Sequence, residues 1–274
     1  MNFLGIDLGW QSGPTGLCRL DWREGALLLQ DLQRKGAISD ILNWIDESAP
    51  PRQPSAIAVD APTLIPNQTG MRLPDRLTHK YFGKYHAGCY PANLNRPFAE
   101  RIVQFGLSLE ARGFNHAPEI QPRCLGRYQI EVFPHPATLK LFKLNRILKY
   151  KKGKLADRRA ELTKLRDLIL TRLPTLDPPL VIPPGVIPDI PTKGSDLKAL
   201  EDKLDSLICA YVAAHWWCWG AVRNWVLGDL ASGYIVVPMP EGVEEAEEAG
   251  GAGEDGGDRE DGGDGEEEVG LSSS

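Results

Sequence analysis

Three apolar runs in this chain carry an acid where a buried strand has little room for one. Phe3-Leu4-Gly5-Ile6 leads into Asp7, Ala56-Ile57-Ala58-Val59 ends in Asp60, and Tyr128-Gln129-Ile130-Glu131-Val132-Phe133 holds Glu131 inside it. Removing a carboxylate from water is costly unless a partner meets it. A lone Asp shortly before Gly9 would read as a turn or capping acid. Here the acids recur, and a late helix adds Asp202 and Asp205. The recurrence points to one shared polar site, and a bound divalent cation is the simplest way to satisfy it.

Around these acids the pattern alternates between strands and helices. Residues 11–16 form a turn. Strands follow over 16–20 and 26–32, joined by the hairpin signal Asp21-Trp22-Arg23-Glu24-Gly25. Ile38, Ile41, Leu42 and Ile45 repeat at helical spacing until Pro50 and Pro51, and the strand ending at Asp60 comes next. Residues 61–96 are rich in Pro, Asn and Gly and read as a long functional loop without regular core structure. This loop interleaves bases with aromatics, among them Lys80, Tyr81, Phe82, Lys84, Tyr85, Tyr90 and Arg96. Pro97 opens a helix over 98–112, and the Glu131 strand follows. Residues 137–173 read as one helix, long or broken at Gly153, and 174–195 as a Pro-rich surface connection. The next helix, capped by Ser195 or Asp196, has the stripe Leu197, Leu200, Leu204, Leu207, Ile208 and Tyr211. Gly233 to Pro238 closes the fold as a strand or extended segment.

Charge separates the chain into two parts. Residues 241–274 hold 14 of the 37 acids and one of the 31 bases, a net of −13, so the first 240 carry +7. The expectation is a folded basic domain over 1–240, with a basic helical insertion around 137–195, and a disordered acidic tail over 241–274. Between Lys140 and Arg172, 12 bases face only three acids, which suits a polyanionic partner. Five scattered cysteines form no C-x-x-C pair, arguing against disulfides and thiolate zinc and for a reducing, cytoplasmic location. Asp7 stands where a signal peptide needs apolar residues. The apolar run from Leu207 to Val222 is too short for a comfortable membrane span. The Trp216-Trp217-Trp219 cluster is core or a self-association surface, leaving a homo-oligomer open.

The order β-β-β-α-β-α-β-α, with acids on strands one, four and five and on the last helix, resembles the RNase H-like fold, an α/β mixed five-stranded sheet flanked by helices. More closely, the chain is similar to the domain-of-unknown-function 429 family, described as predicted RNase H-like nucleases. The residues carrying the resemblance are Gly5-Ile6-Asp7, Val59-Asp60-Ala61-Pro62, Ile130-Glu131-Val132-Phe133-Pro134 and Asp202-Lys203-Leu204-Asp205-Ser206-Leu207. The resemblance implies that Asp7 and Asp60 face each other on adjacent strands, with Asp205 pointing at both from the helix.

Phosphodiester hydrolysis needs an activated water and neutralised charge on the attacked and leaving oxygens, which two Mg²⁺ or Mn²⁺ ions about 3.5–4 Å apart supply. The expected catalytic set is Asp7, Asp60, Glu131 and Asp205. Asp7 bridges both ions, and Asp60 and Asp205 hold one each. Glu131 is a fourth ligand, a water-orienting carboxylate, or only the partner of a base such as Arg127. Asp202 is a further metal-ligand candidate, with a solvated first-turn acid as its plain alternative. Lys80, Lys84, Arg96, Lys151 and Lys152 are the expected nucleic-acid contacts, with Lys149, Lys154, Arg158 and Arg159 on the same basic helix. Tyr81, Phe82 and Tyr85 either stack bases or fasten their loop. His135 reads as structural, near the Glu131 strand. The tail is either solubilising or an intramolecular polyanion folding over the basic face. Two other classes remain open: a non-catalytic nucleic-acid-binding protein of the same fold, and a kinase relative of actin-like fold. The latter rests on Asp7-Leu8-Gly9 with Gly13, Thr15 and Gly16 as a phosphate loop.

Overall fold

The computed structural model describes residues 1–11 and 13–241; the acidic tail expected over 241–274 lies outside the described residues from 242 onward. Strand β1 (Asn2–Asp7) is the centre of the sheet. On one side it pairs antiparallel with β2 (Thr15–Arg23), which pairs antiparallel with β3 (Ala26–Lys35). On the other side it runs parallel to β4 (Ser55–Val59), and β4 runs parallel to β6 (Arg127–Glu131). The two-residue strands β5 (Asn115–His116) and β7 (Leu180–Val181) extend the edges, giving a seven-stranded mixed sheet in the order β5-β6-β4-β1-β2-β3-β7. The sheet therefore has seven strands where five were expected. A two-residue strand shows no period, so β5 and β7 leave no pattern to read. The closing segment is β9 (Gly233–Pro238), and it forms a separate hairpin with β8 (Asn224–Asp229).

Strand alternation divides the core between the two faces. Leu4, Ile6, Ile57 and Val59 pack towards helices α1 (Ile38–Ser48) and α3 (Ala99–Glu110). Phe3, Ala56, Ala58 and Ile130 face α6 (Gly194–Trp219), which crosses the sheet. Helix α6 is buried along most of its length, and Trp216 and Trp217 belong to its core. Their indole N–H groups donate to the carbonyls of Ala117 and Cys124. These two residues pack inside the chain and form no exposed self-association patch.

Two glycines let α6 lie on the sheet. A Cβ at Gly5 would stand 1.8 Å from the Ser206 carbonyl oxygen, and one at Gly16 would stand 1.9 Å from that of Asp202. Both obstacles are backbone, so neither can yield by a rotamer change. Gly5→Ala is expected to cost at least about 3 kcal/mol in urea unfolding. A cost below 1 kcal/mol would mean that α6 is not seated against β1 at this point.

The sequence pattern misses one helix and leaves the division of another open. Residues 61–96 are not entirely irregular, because α2 (Leu73–Phe82) lies within them. Its start is a capping box between Arg72 and Asp75, with Pro74 in the first turn. Inward-facing Asp75 and Thr78 hide it from an apolar-period reading. The expected helix over 137–173 is two, α4 (Pro134–Phe142) and α5 (Leu155–Arg172). The break starts at Lys143, whose φ is 54°, and runs on through Gly153, the expected break point, whose φ is 112°. Among the described residues, no helix is long and apolar enough to cross a membrane.

A candidate metal centre at the strand ends

Alternation along β1 places Asp7 on the same face as Phe3 and Gly5, beneath α6. The register pairs Ile6 with Val59, and the Asp60 N–H donates to the Ile6 carbonyl at 2.8 Å, so Asp60 comes beside Asp7. Asp205 descends from α6, one turn after Asp202 and next to the Ser206 contact that Gly5 permits. Oxygens from Asp7, Asp60 and Asp205 all lie within 4.8 Å of one another. It is the only such group of metal-ligating side chains among the described residues. The cluster borders a cleft of about 770 Å³.

Electrostatics make the cluster costly by itself. Burial raises the Asp7 carboxyl well above its ordinary value; Lys151 opposes that, while Asp205 and Asp60 add to it. Burial likewise raises Asp60 to about 6, again against Lys151. Asp205 is fully buried. Its Oδ1 accepts from the Tyr150 hydroxyl at 2.7 Å. Its Oδ2 meets the Lys151 ammonium at 2.8 Å, but out of hydrogen-bonding alignment. Three hard oxygen donors, one with an unfilled lone pair, suit a hard metal cation. The three carboxylates can hold a metal ion.

Other expected site residues have different partners. Glu131 stands beside Val59 in the β4–β6 register, so it is one pleat out of phase with Asp60. Both its oxygens are taken at 2.7 Å by Arg72, which excludes it as a free ligand. Its base is Arg72 and not Arg127, whose guanidinium instead serves the carbonyls of Ala49, Pro50, Gln53 and Arg112. Asp202 is neither solvated nor a member of the cluster. It is buried, with Arg34 at 2.7 Å on one oxygen and Lys198 at 2.8 Å on the other.

The basic helix also needs correction. Lys149, Lys151, Lys152 and Lys154 lie in the loop before α5. Lys151 turns inward to Asp205, and Lys152 is exposed. Arg158 and Arg159 spend their Nε–H groups on the carbonyls of Tyr150 and Pro191. Lys80 and Lys84 are exposed and lie over the rings of Tyr81 and Tyr85. Phe82, with Tyr81 and Tyr85 packed against it, belongs to a small core under β8 and β9, so these aromatics fasten their segment. Tyr90 behaves differently. It is 60% exposed, lines the cleft, and has the Arg96 guanidinium over its ring. His135 also lines the cleft; burial and Lys151 push its imidazole down to about 4, so it is neutral at pH 7.

Arg34, Arg72, Asp75, Tyr150 and Lys198 surround the site without having been singled out in the sequence. Only Arg72-x-x-Asp75 around Pro74 left a local signal, that of a helix start. A family model described as "Protein of unknown function (DUF429)" matches residues 5–226. No curated protein matches the sequence.

Proposed function

The chain belongs to the DUF429 family of proteins of unknown function, and we propose that it is a metal-dependent nuclease of RNase H-like architecture acting on nucleic-acid phosphodiesters. The observation that carries the reading is the convergence of Asp7, Asp60 and Asp205 within 4.8 Å at the ends of two adjacent parallel strands. Three meandering antiparallel strands, two parallel additions and a helix across the face support the fold assignment.

In this reading Asp7, Asp60 and Asp205 hold Mg²⁺ or Mn²⁺. Such an ion, when bound, lowers the pKa of a water and offsets charge on the phosphoryl oxygens. The chain's own residues do the remainder. Tyr150 fixes the rotamer of Asp205 through its 2.7 Å hydrogen bond. Asp202 holds Arg34 and Lys198 at the cleft wall, where they face an incoming phosphate. His135 stays neutral beside the cleft, because burial and Lys151 disfavour its protonated form. Trp10 and Tyr90 border the same cleft, and Tyr90 offers an exposed ring for an unpaired base.

The test is cleavage of labelled single- and double-stranded DNA, RNA, RNA–DNA hybrid and a four-way junction in Mg²⁺ or Mn²⁺. The expected result is metal-dependent cleavage that EDTA abolishes, with a preference for substrates bearing unpaired bases. Binding of these substrates without cleavage in either metal would replace the enzyme with a non-catalytic nucleic-acid-binding protein.

A further inference from the structure

Lys151 is the base placed directly on the carboxylate cluster. Its Nζ lies 2.8 Å from Asp205 Oδ2 and 3.9 Å from Asp60 Oδ2. The preceding residue, Tyr150, is almost fully buried and hydrogen-bonded to the same Asp205, which anchors the backbone carrying the lysine. The neighbouring bases are committed elsewhere: Arg34 to Asp202, Lys198 to Asp202 and Glu201, and Arg72 to Glu131 and Asp75. The charge count at the cluster is therefore local. Three carboxylates and one ammonium leave −2 when all are ionised, which one divalent ion neutralises. Two divalent ions with the lysine in place would leave +2 among partly buried groups at the cleft wall, with no anion to offset it until a phosphate arrives.

We propose that the Lys151 ammonium takes the part of a second cation, so that the substrate-free protein binds one divalent ion per chain where a two-ion site was expected. The inference rests on the proposed metal-dependent reading of the site. It assigns Lys151 to the same task as the ion, offsetting negative charge at the phosphate. It also makes that residue the determinant of metal stoichiometry.

The experiment counts Mn²⁺ bound to the full chain, by calorimetry and by electron paramagnetic resonance of free Mn²⁺, without substrate. Sites belonging to the cluster are those absent from Asp7→Asn, a subtraction that removes any ions taken by the acidic tail. Wild type is expected to show one such site. Lys151→Met is expected to show two, or one bound at least tenfold more tightly, because the competing charge is gone. Lys151→Arg, which keeps the charge, is expected to keep one site and cover the case in which the Met variant fails to fold. Two Asp7-dependent sites in the wild type would overturn the inference and leave the metal reading intact. One site of unchanged affinity in Lys151→Met would also overturn it. No Asp7-dependent Mn²⁺ binding at all would overturn the metal reading itself.

Discussion

Asp7→Asn is expected to remove phosphodiester cleavage, by roughly a thousandfold or more, while leaving the metal-free fold as stable as the wild type or more so. The two effects have one cause. Asp7 sits among like charges in a partly buried place, where desolvation raises its carboxyl and Asp205 and Asp60 push further. Ionising it without a metal costs folding energy, and Asn removes the charge with almost no change of shape. The pH dependence follows from the raised folded values. Between about 4 and 6 the folded wild type binds more protons than the unfolded chain, because Asp60 titrates near 6 in the fold and near 3.8 outside it. Metal-free stability therefore falls as pH rises through that window, and Asp7 and Glu131, also raised in the fold, carry the fall further up. Asp7→Asn flattens the fall. Thermal melts in EDTA from pH 4 to 8, beside turnover in Mg²⁺, measure both effects. Retained cleavage would place the active site elsewhere. A large loss of stability in EDTA would mean that Asp7 is held as an ionised structural acceptor.

The largest stability effect belongs to a residue away from the carboxylate cluster. Arg72 lies between two buried acids, with Glu131 at 2.7 Å on two nitrogens and Asp75 at 2.8 Å. Burial raises Glu131 to about 7 even with Arg72 beside it. Removing one partner of a buried pair costs about 3–5 kcal/mol, and Arg72→Ala breaks two pairs together. A loss above about 5 kcal/mol is a large part of the roughly 5–15 kcal/mol that holds a domain folded. The variant is expected to be insoluble or to unfold at low urea. Arg72→Lys is expected to rescue little, since an ammonium cannot span both carboxylates as a guanidinium does. The remaining stability of Arg72→Ala should rise as pH falls below 7, because protonation of Glu131 removes an unpaired buried charge. Urea titrations at pH 5 and pH 8 check the sign. A cost below 2 kcal/mol would show that water reaches Glu131 once the arginine is gone.

Much of the framework was legible because it is written in short-range pattern. Strands β1, β2, β3, β4 and β6 and helices α1, α3 and α6 each carry an apolar period that follows from which face they bury. Helix α2 escaped because its inward face is polar, built from Asp75 and Thr78. The alternation in Tyr128-Gln129-Ile130-Glu131-Val132 does hold the clue that Glu131 shares its face with Gln129, away from the α6 side. Its partner, however, lies 59 positions earlier in the chain.

By itself the sequence determined where burial would be expensive. Asp7 and Asp60 end otherwise apolar strands, and desolvation is a local cost that any fold of these segments must meet. Tertiary structure alone decided how each cost is met. Arg34 reaches Asp202 across 168 positions, Arg72 takes Glu131, and Lys151 enters the carboxylate cluster in place of facing solvent. Ion pairs act over a few ångströms in space, and nothing in residue spacing records which base the sheet register and the seating of α6 will bring within that reach.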